Sequence, residues 1–231
     1  MHRDEVVVVG VGVAVEQLHG GIGQREEVAL RGVEQVRQTA AVAVGGQRRD
    51  TDDAVTRGVD RDALITVLHA TLFDIQPGRG DFLSEAQRLN RWLLEPDVGL
   101  ALDPEWHVRE GEVPGQKIGS VTADEVNEVT SYVSNIVAKH DLPEKLFVIH
   151  QFTQDMIKDK ERVARPKGLA VTMNVDGFGD RPNKISKYDA FTSEATRFHD
   201  GFKLFYEEDT NLMSPGAVLQ MRPPPDLVVY E

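Results

Sequence analysis

The feature that most constrains this chain is an alternation that sets in after residue 71. Short apolar runs at 72–76, 98–103, 146–151, 169–174, 202–206 and 227–230 each end in polar residues, and helical patterns lie between them. Residues 82–94 carry apolar side chains at 82, 83, 86, 89, 93 and 94, an α-helical period. Thr122 and Glu125 form a capping box that opens a helix with Val126, Val129, Val133, Ile136 and Val137 on one face. His140-Asp141-Leu142-Pro143 stops it. Further helices are predicted over 152–163, ended by Pro166-Lys167-Gly168, and near 185–191 and 215–221. Alternating β and α elements predict a parallel sheet with right-handed crossovers. The expected fold is α/β, a (β/α)8 TIM-type barrel, incomplete or irregular in its N-terminal part. An open parallel α/β sheet is the alternative. A closed barrel needs eight strands. Six are legible, so the other two must come from residues 1–70, where 6–15 and 63–67 are the candidates.

Residues 1–70 differ in kind from 71–231. All nine Phe, four Tyr and two Trp lie beyond residue 72, and residues 1–70 hold no Pro, Ser, Asn or Lys. Aromatics carry much of a core's buried area, and Pro and Asn supply turns. Two readings stand open. One is a genuine Val/Ala-rich segment with a strand over 6–15, a helix over 28–39 and a strand over 63–72. The other is out-of-frame or mis-started translation of a GC-rich gene, joined to a genuine coding region near Thr71. The expected organisation is an atypical segment over 1–70 and an α/β barrel-like domain over 71–231.

Charge and composition remove several function classes. A net charge of −12 disfavours nucleic acid and anionic membrane surfaces. With no cysteine there is no disulfide, thiolate metal site or thiol nucleophile. The apolar run 6–15 is too short to span a bilayer. As a signal peptide it has a poor n-region, His2-Arg3-Asp4-Glu5, and no small-x-small cleavage site follows. Gly10 and Gly12 suggest a dinucleotide fingerprint, but Val15 stands where the third glycine is needed. His19-Gly20-Gly21-Ile22-Gly23 lacks the Lys and Ser/Thr of a phosphate loop. Arg79-Gly80-Asp81 spells an adhesion tripeptide of a kind that chance readily supplies.

In parallel α/β folds, ligands bind at the C-terminal ends of the strands. Residues two apart on a strand share a face. That rule pairs Asp74 with Gln76, Asp103 with Glu105, and Asn174 with Asp176, and groups Lys203, Phe205 and Glu207. His150 and Glu231 close two further runs. One strand-end acid is ordinary as a helix cap. Carboxylates gathered at four or more ends raise one another's pKa unless a cation such as Lys203 offsets them, the environment that acid–base chemistry uses. Asp103-Pro104-Glu105-Trp106 is the most informative motif, because paired carboxylates are the working parts of most glycoside hydrolases. Glu105 is the expected general acid, with Asp103, Asp74 or Asp176 as the second carboxylate. Trp106 could stack on a sugar, and Gln76, His150, Asn174, Lys203 and Glu207 complete the expected substrate-binding set. The competing reading makes Asp103 a turn cap and Glu105 a solvated loop residue. An oxygen-rich metal site built on His150 lacks any H-x-H or H-E-x-x-H spacing, so no metal and no cofactor are assigned. Lys203 could form a Schiff base, but pairing with its neighbouring carboxylates is the simpler role. The segment 107–115 is a candidate lid.

Seven segments taken together (FDIQPGRGDFLSEA, VGLALDPEW, PGQKIGSV with ADEVN, KLFVIHQFTQDMI, NVDGFG, GFKLFYEEDT and PDLVVYE) resemble a family of uncharacterised actinobacterial secreted proteins, many described as lipoproteins. The resemblance covers residues 72–231. It implies a barrel related at a distance to glycoside hydrolases and a location outside the cell or at the envelope. The family's signal peptide and lipid-attachment cysteine lie upstream of the matching region, and residues 1–70 contain neither. The Asp103-Pro104-Glu105 strand end is also similar to the Asp-x-Glu strand end of barrel muramidases. No activity carries over from the family; the strand-end carboxylates make the expected function a glycosidase-like hydrolase, the resemblance places it at the cell envelope, and the expected ligand is a glycan or other small molecule. A non-catalytic glycan-binding protein and a metal-dependent hydrolase are the alternatives.

Overall fold

The computed structural model describes residues 5–8, 64–65, 71–193 and 197–231. The expected helix over 28–39 and the remainders of the expected strands over 6–15, 63–67 and 63–72 lie outside the described residues.

The fold is an open, curled, all-parallel sheet. In chain order its strands are β1 (Glu5–Val8), β2 (Leu64–Ile65), β3 (Thr71–Ile75), β4 (Val98–Leu102), β6 (Lys145–Gln151), β8 (Leu169–Val175), β9 (His199–Leu204) and β10 (Leu227–Tyr230). Their spatial order is β2-β1-β10-β9-β8-β6-β4-β3. The six strands of 71–231 make a half-barrel, and β1 and β2 extend it from β10. Among the described residues β2 and β3 do not pair, so the sheet has two edges and fits the open parallel alternative. A second sheet of two short parallel strands, β5 (Val121–Thr122) and β7 (Ile157–Lys158), lies outside the main one.

The helices are α1 (Phe82–Arg88), α2 (Asn90–Leu93), α3 (Ala123–His140), α4 (Arg181–Ser193) and α5 (Pro215–Leu219). The helix expected over 82–94 is broken at Leu89, whose N–H turns back to Ala86 O. Asp81, the last residue of the adhesion-like tripeptide, caps α1 by accepting from the Ser84 N–H at 2.7 Å. Thr122 and Glu125 make both bonds of the expected capping box. The helix expected over 152–163 is not there. Two 3₁₀ turns, Gln154–Met156 and Lys160–Arg162, flank β7 instead. Asp159 sits at φ 54°, which no right-handed helix accommodates, so the i, i+4 spacing of Phe152 and Met156 is not continued as a helix.

The strands' two faces have different fates. Outward residues such as Leu100, Leu102, Phe147, Ile149, Val171 and Met173 bury against α1 and α3 in one large apolar cluster. Val175, Phe202, Leu204 and Val228 pack with Tyr188, Phe191 and Val218 of α4 and α5 in another. Inward residues Ala101, Val148, Leu227 and Val229, with Leu72 and Leu146 against them, fill the concave side. Further along the same inward rows, towards the strands' C-terminal ends, the side chains become charged.

Candidate active site

Period-two alternation carries the inward rows from apolar to ionisable. Leu72 leads to Asp74, Leu146 and Val148 to His150, and Thr172 to Asn174 and Asp176. Lys203 and Glu231 arrive from β9 and β10. Gly201 is paired with Asn174 across β8 and β9, and a Cβ there would stand 2.6 Å from the Asn174 side-chain oxygen. Glycine at 201 thus gives the buried amide its place on the axis.

His150 lies between two carboxylates. Its Nε2 is 3.6 Å from Asp74 Oδ2 and its Nδ1 is 3.0 Å from Asp176 Oδ2. The Asn174 amide nitrogen stands 3.2 Å from the same Nδ1. Burial opposes the imidazolium, but the Asp74 charge and the Asp176 hydrogen bond overcome it and push the His150 pKa up to about 9. Lys203 Nζ is 2.9 Å from Glu231 and 3.6 Å from Asp176. Burial works against its charge too, yet Asp176 and Glu231 hold its pKa above the ordinary lysine value. Asp176 is the anion at the centre. Burial would raise its pKa, but His150, Lys203 and the Gly177 N–H hold it well below the usual carboxylate range.

The remaining acids go the other way. Burial lifts Asp74, whose Oδ1 has no hydrogen-bond partner among the described residues. Asp103 is 5% exposed, and burial with the nearby charges of Asp74 and Asp176 pushes its pKa up to about 7. Its Oδ1 accepts from the Glu105 N–H at 3.3 Å and its Oδ2 from Gln76 Nε2 at 3.4 Å. Asp103 is therefore both the cap of the 3₁₀ turn Pro104–Trp106 and a member of the buried cluster. Glu105 is half-buried at the rim, and burial and the Asp176 charge raise its pKa.

Two expected residues stand elsewhere. Glu207 is exposed in the turn after β9, because Asp209 accepts the Phe205 N–H at 3.0 Å and closes that turn, ending the period-two pattern at Leu204. Trp106 is half-buried against the 107–115 loop, where a Cβ on Gly115 would stand 3.3 Å from its ring. Sequence reasoning also missed three residues. Lys184 is buried and pairs with Asp209 at 3.0 Å. Lys187 lies over the Phe152 ring at 4.3 Å, within the fields of Asp176 and Glu105. Both lysines are on α4 rather than at a strand end, and a helix lysine carries no signal that it turns back to the sheet.

The axial space bordered by Leu72, Asp74, Val148, His150, Lys203, Val229 and Glu231 is about 10 Å³. That is close to the room needed for one water. A ligand larger than water does not fit there. Among the described residues no group of three His, Asp or Glu is arranged to hold a metal ion. No helix among the described residues is long and apolar enough to cross a membrane. Comparison of the chain with family models, with curated proteins and with solved structures finds no match.

Proposed function

We propose that this chain is a glycosidase-like hydrolase. One observation carries the reading: the end of β4 presents two carboxyl groups, Asp103 buried with a pKa near 7 and Glu105 raised and half-open at the rim. Groups that titrate near the working pH serve best as proton donors and acceptors. Glu105 gives its proton to the leaving glycosidic oxygen. Asp103 takes a proton from the water that attacks the anomeric carbon. Asp176, fixed by His150 and Lys203, supplies a standing negative charge that favours the oxocarbenium-like transition state. The resemblance that residues 72–231 bear, in sequence, to secreted actinobacterial proteins supports an envelope location. Glu105→Gln and Asp103→Asn should each cut the release of reducing ends from cell-wall polysaccharide by about 10²- to 10⁴-fold. Turnover by Glu105→Gln at the wild-type rate would overturn the assignment.

A second reading has its own support. The axial space has room for about one water and the central charges are mutually paired, which suits a non-catalytic glycan-binding protein. It predicts saturable binding of the same polysaccharide with no reducing ends released by the wild-type protein.

A further inference from the structure

The β8–β9 ladder stops one step short of the acid cluster. Its last paired residues are Val175 and Phe202, and the next residues on the two chains are Asp176 and Lys203. The Asp176 N–H turns the other way, to Gln151 O of β6 at 3.0 Å. Lys203 is paired on its far side with Val229 of β10. The ladder thus supplies no rung between the two residues whose side chains meet at 3.6 Å.

Lys184, buried on α4, supplies the link that the ladder lacks. Its Nζ donates to Gly177 O at 2.9 Å and to Lys203 O at 2.8 Å. One ammonium therefore spans the ends of β8 and β9 with two charge-assisted bonds. Asp209 Oδ2 stands 3.0 Å from that ammonium. The same carboxylate accepts the Gly179 N–H through Oδ1 and the Phe205 N–H through Oδ2, each at 3.0 Å. The ion pair grips each chain twice, at Gly177 and Gly179 after β8 and at Lys203 and Phe205 at the end of β9. The Phe202 and Phe205 rings, 5.4 and 5.1 Å from Nζ, add cation–π attraction.

The grip matters because Asp176 Oδ2 is shared. It is 3.0 Å from His150 Nδ1 and 3.6 Å from Lys203 Nζ, and Lys203 has a second carboxylate, Glu231, at 2.9 Å. If the ends of β8 and β9 part, Lys203 stays with Glu231 and leaves Asp176 to His150. We propose that Lys184 and Asp209 are positioning residues for the acid–base centre: their ion pair replaces the missing rung between β8 and β9 and sets the distance from Asp176 to Lys203. What this does for a reaction rests on the proposed hydrolase reading; the positioning itself is read without turnover.

The test is ¹³C NMR titration of the Asp103 and His150 side chains in the full chain. Burial acts most on both groups, and Lys203 holds both pKa values down, so a receding Lys203 lets both rise. Replacing Lys184 alone strands the buried Asp209 charge, so the main variant is Lys184→Met with Asp209→Asn, which removes both charges together. It should raise both midpoints by roughly 0.5–1 pH unit. Asp209→Glu keeps every charge and displaces only the carboxylate; a smaller rise there answers for the double variant should that not fold. Phe191→Leu loosens the packing of the same helix without touching either carbonyl, and should lower the unfolding temperature while leaving both midpoints in place. Midpoints equal to those of the wild type in the folded variants, or a matching rise in Phe191→Leu, overturn the proposal. A rise in the variants with no hydrolysis by the wild type keeps the positioning and removes the hydrolase. Hydrolysis by the wild type with unmoved midpoints in the variants keeps the hydrolase and overturns the positioning.

Discussion

The two ends of the parallel sheet treat a buried lysine in opposite ways. At the N-terminal end, Lys145 opens β6 and donates to Glu95 O at 2.6 Å and Val98 O at 2.9 Å. Its partners are backbone carbonyls, and burial pulls its pKa down. At the C-terminal end, Lys203 faces Asp176 and Glu231, whose charges outweigh burial and push its pKa up. The first lysine ties β6 to the turn that precedes β4. The second holds several carboxylates in place around His150. One residue type on one sheet is thus a structural tie at one end and part of a charge-storing centre at the other. The same division, stability below and chemistry above, is general in parallel barrels.

Substitutions should reproduce the contrast. Lys203→Met leaves Asp74, Asp176 and Glu231 facing His150 alone, and should lower stability in urea unfolding by about 3–5 kcal/mol. It should also abolish any hydrolysis. Lys145→Met strands two carbonyls and should cost about 1–3 kcal/mol. It should leave the titration of the strand-end acids unchanged. If both variants lose the same stability and both alter that titration, the distinction between the two ends fails.

A further effect is pH-dependent. The folded His150 pKa, about 9, lies above its unfolded value of about 6.5, so its contribution is complete below about pH 6.5. That contribution is lost as pH rises through 9, at no more than about 1.4 kcal/mol per pH unit. Asp176 has the opposite sign: its depressed pKa contributes stability above about pH 3.9 that is lost as pH falls. His150→Gln should flatten the alkaline limb and leave Lys145→Met and wild type falling in parallel. A wild-type limb that survives in His150→Gln would assign it to another group.

The strand ends were legible because a period-two pattern delivers side chains in register to one face. The expected run 227–230 matches β10 residue for residue, and Asp74, His150, Asn174, Asp176 and Lys203 converge as that pattern implies. β9 begins earlier than its apolar run, at His199, because pairing with β8 recruits His199 and Asp200 despite their polarity. Glu207 failed because a side-chain hydrogen bond from the Phe205 N–H to Asp209 turns the chain where alternation would have continued. The Lys184–Asp209 clamp left no trace in the sequence: its partners come from a helix and a turn that only the folded sheet brings together. Closure into a full barrel depends on strand pairing beyond β3 and β2, which apolar runs alone do not specify.

The most direct test of an acid–base centre at the sheet's C-terminal end is the ¹³C NMR titration of the Asp103 carboxyl. A midpoint near pH 7, moving when Lys203 is replaced and holding when Lys145 is replaced, is the predicted result. A midpoint near the ordinary aspartate value of about 3.9 would mean that Asp103 is only a turn cap, and the account would be contradicted.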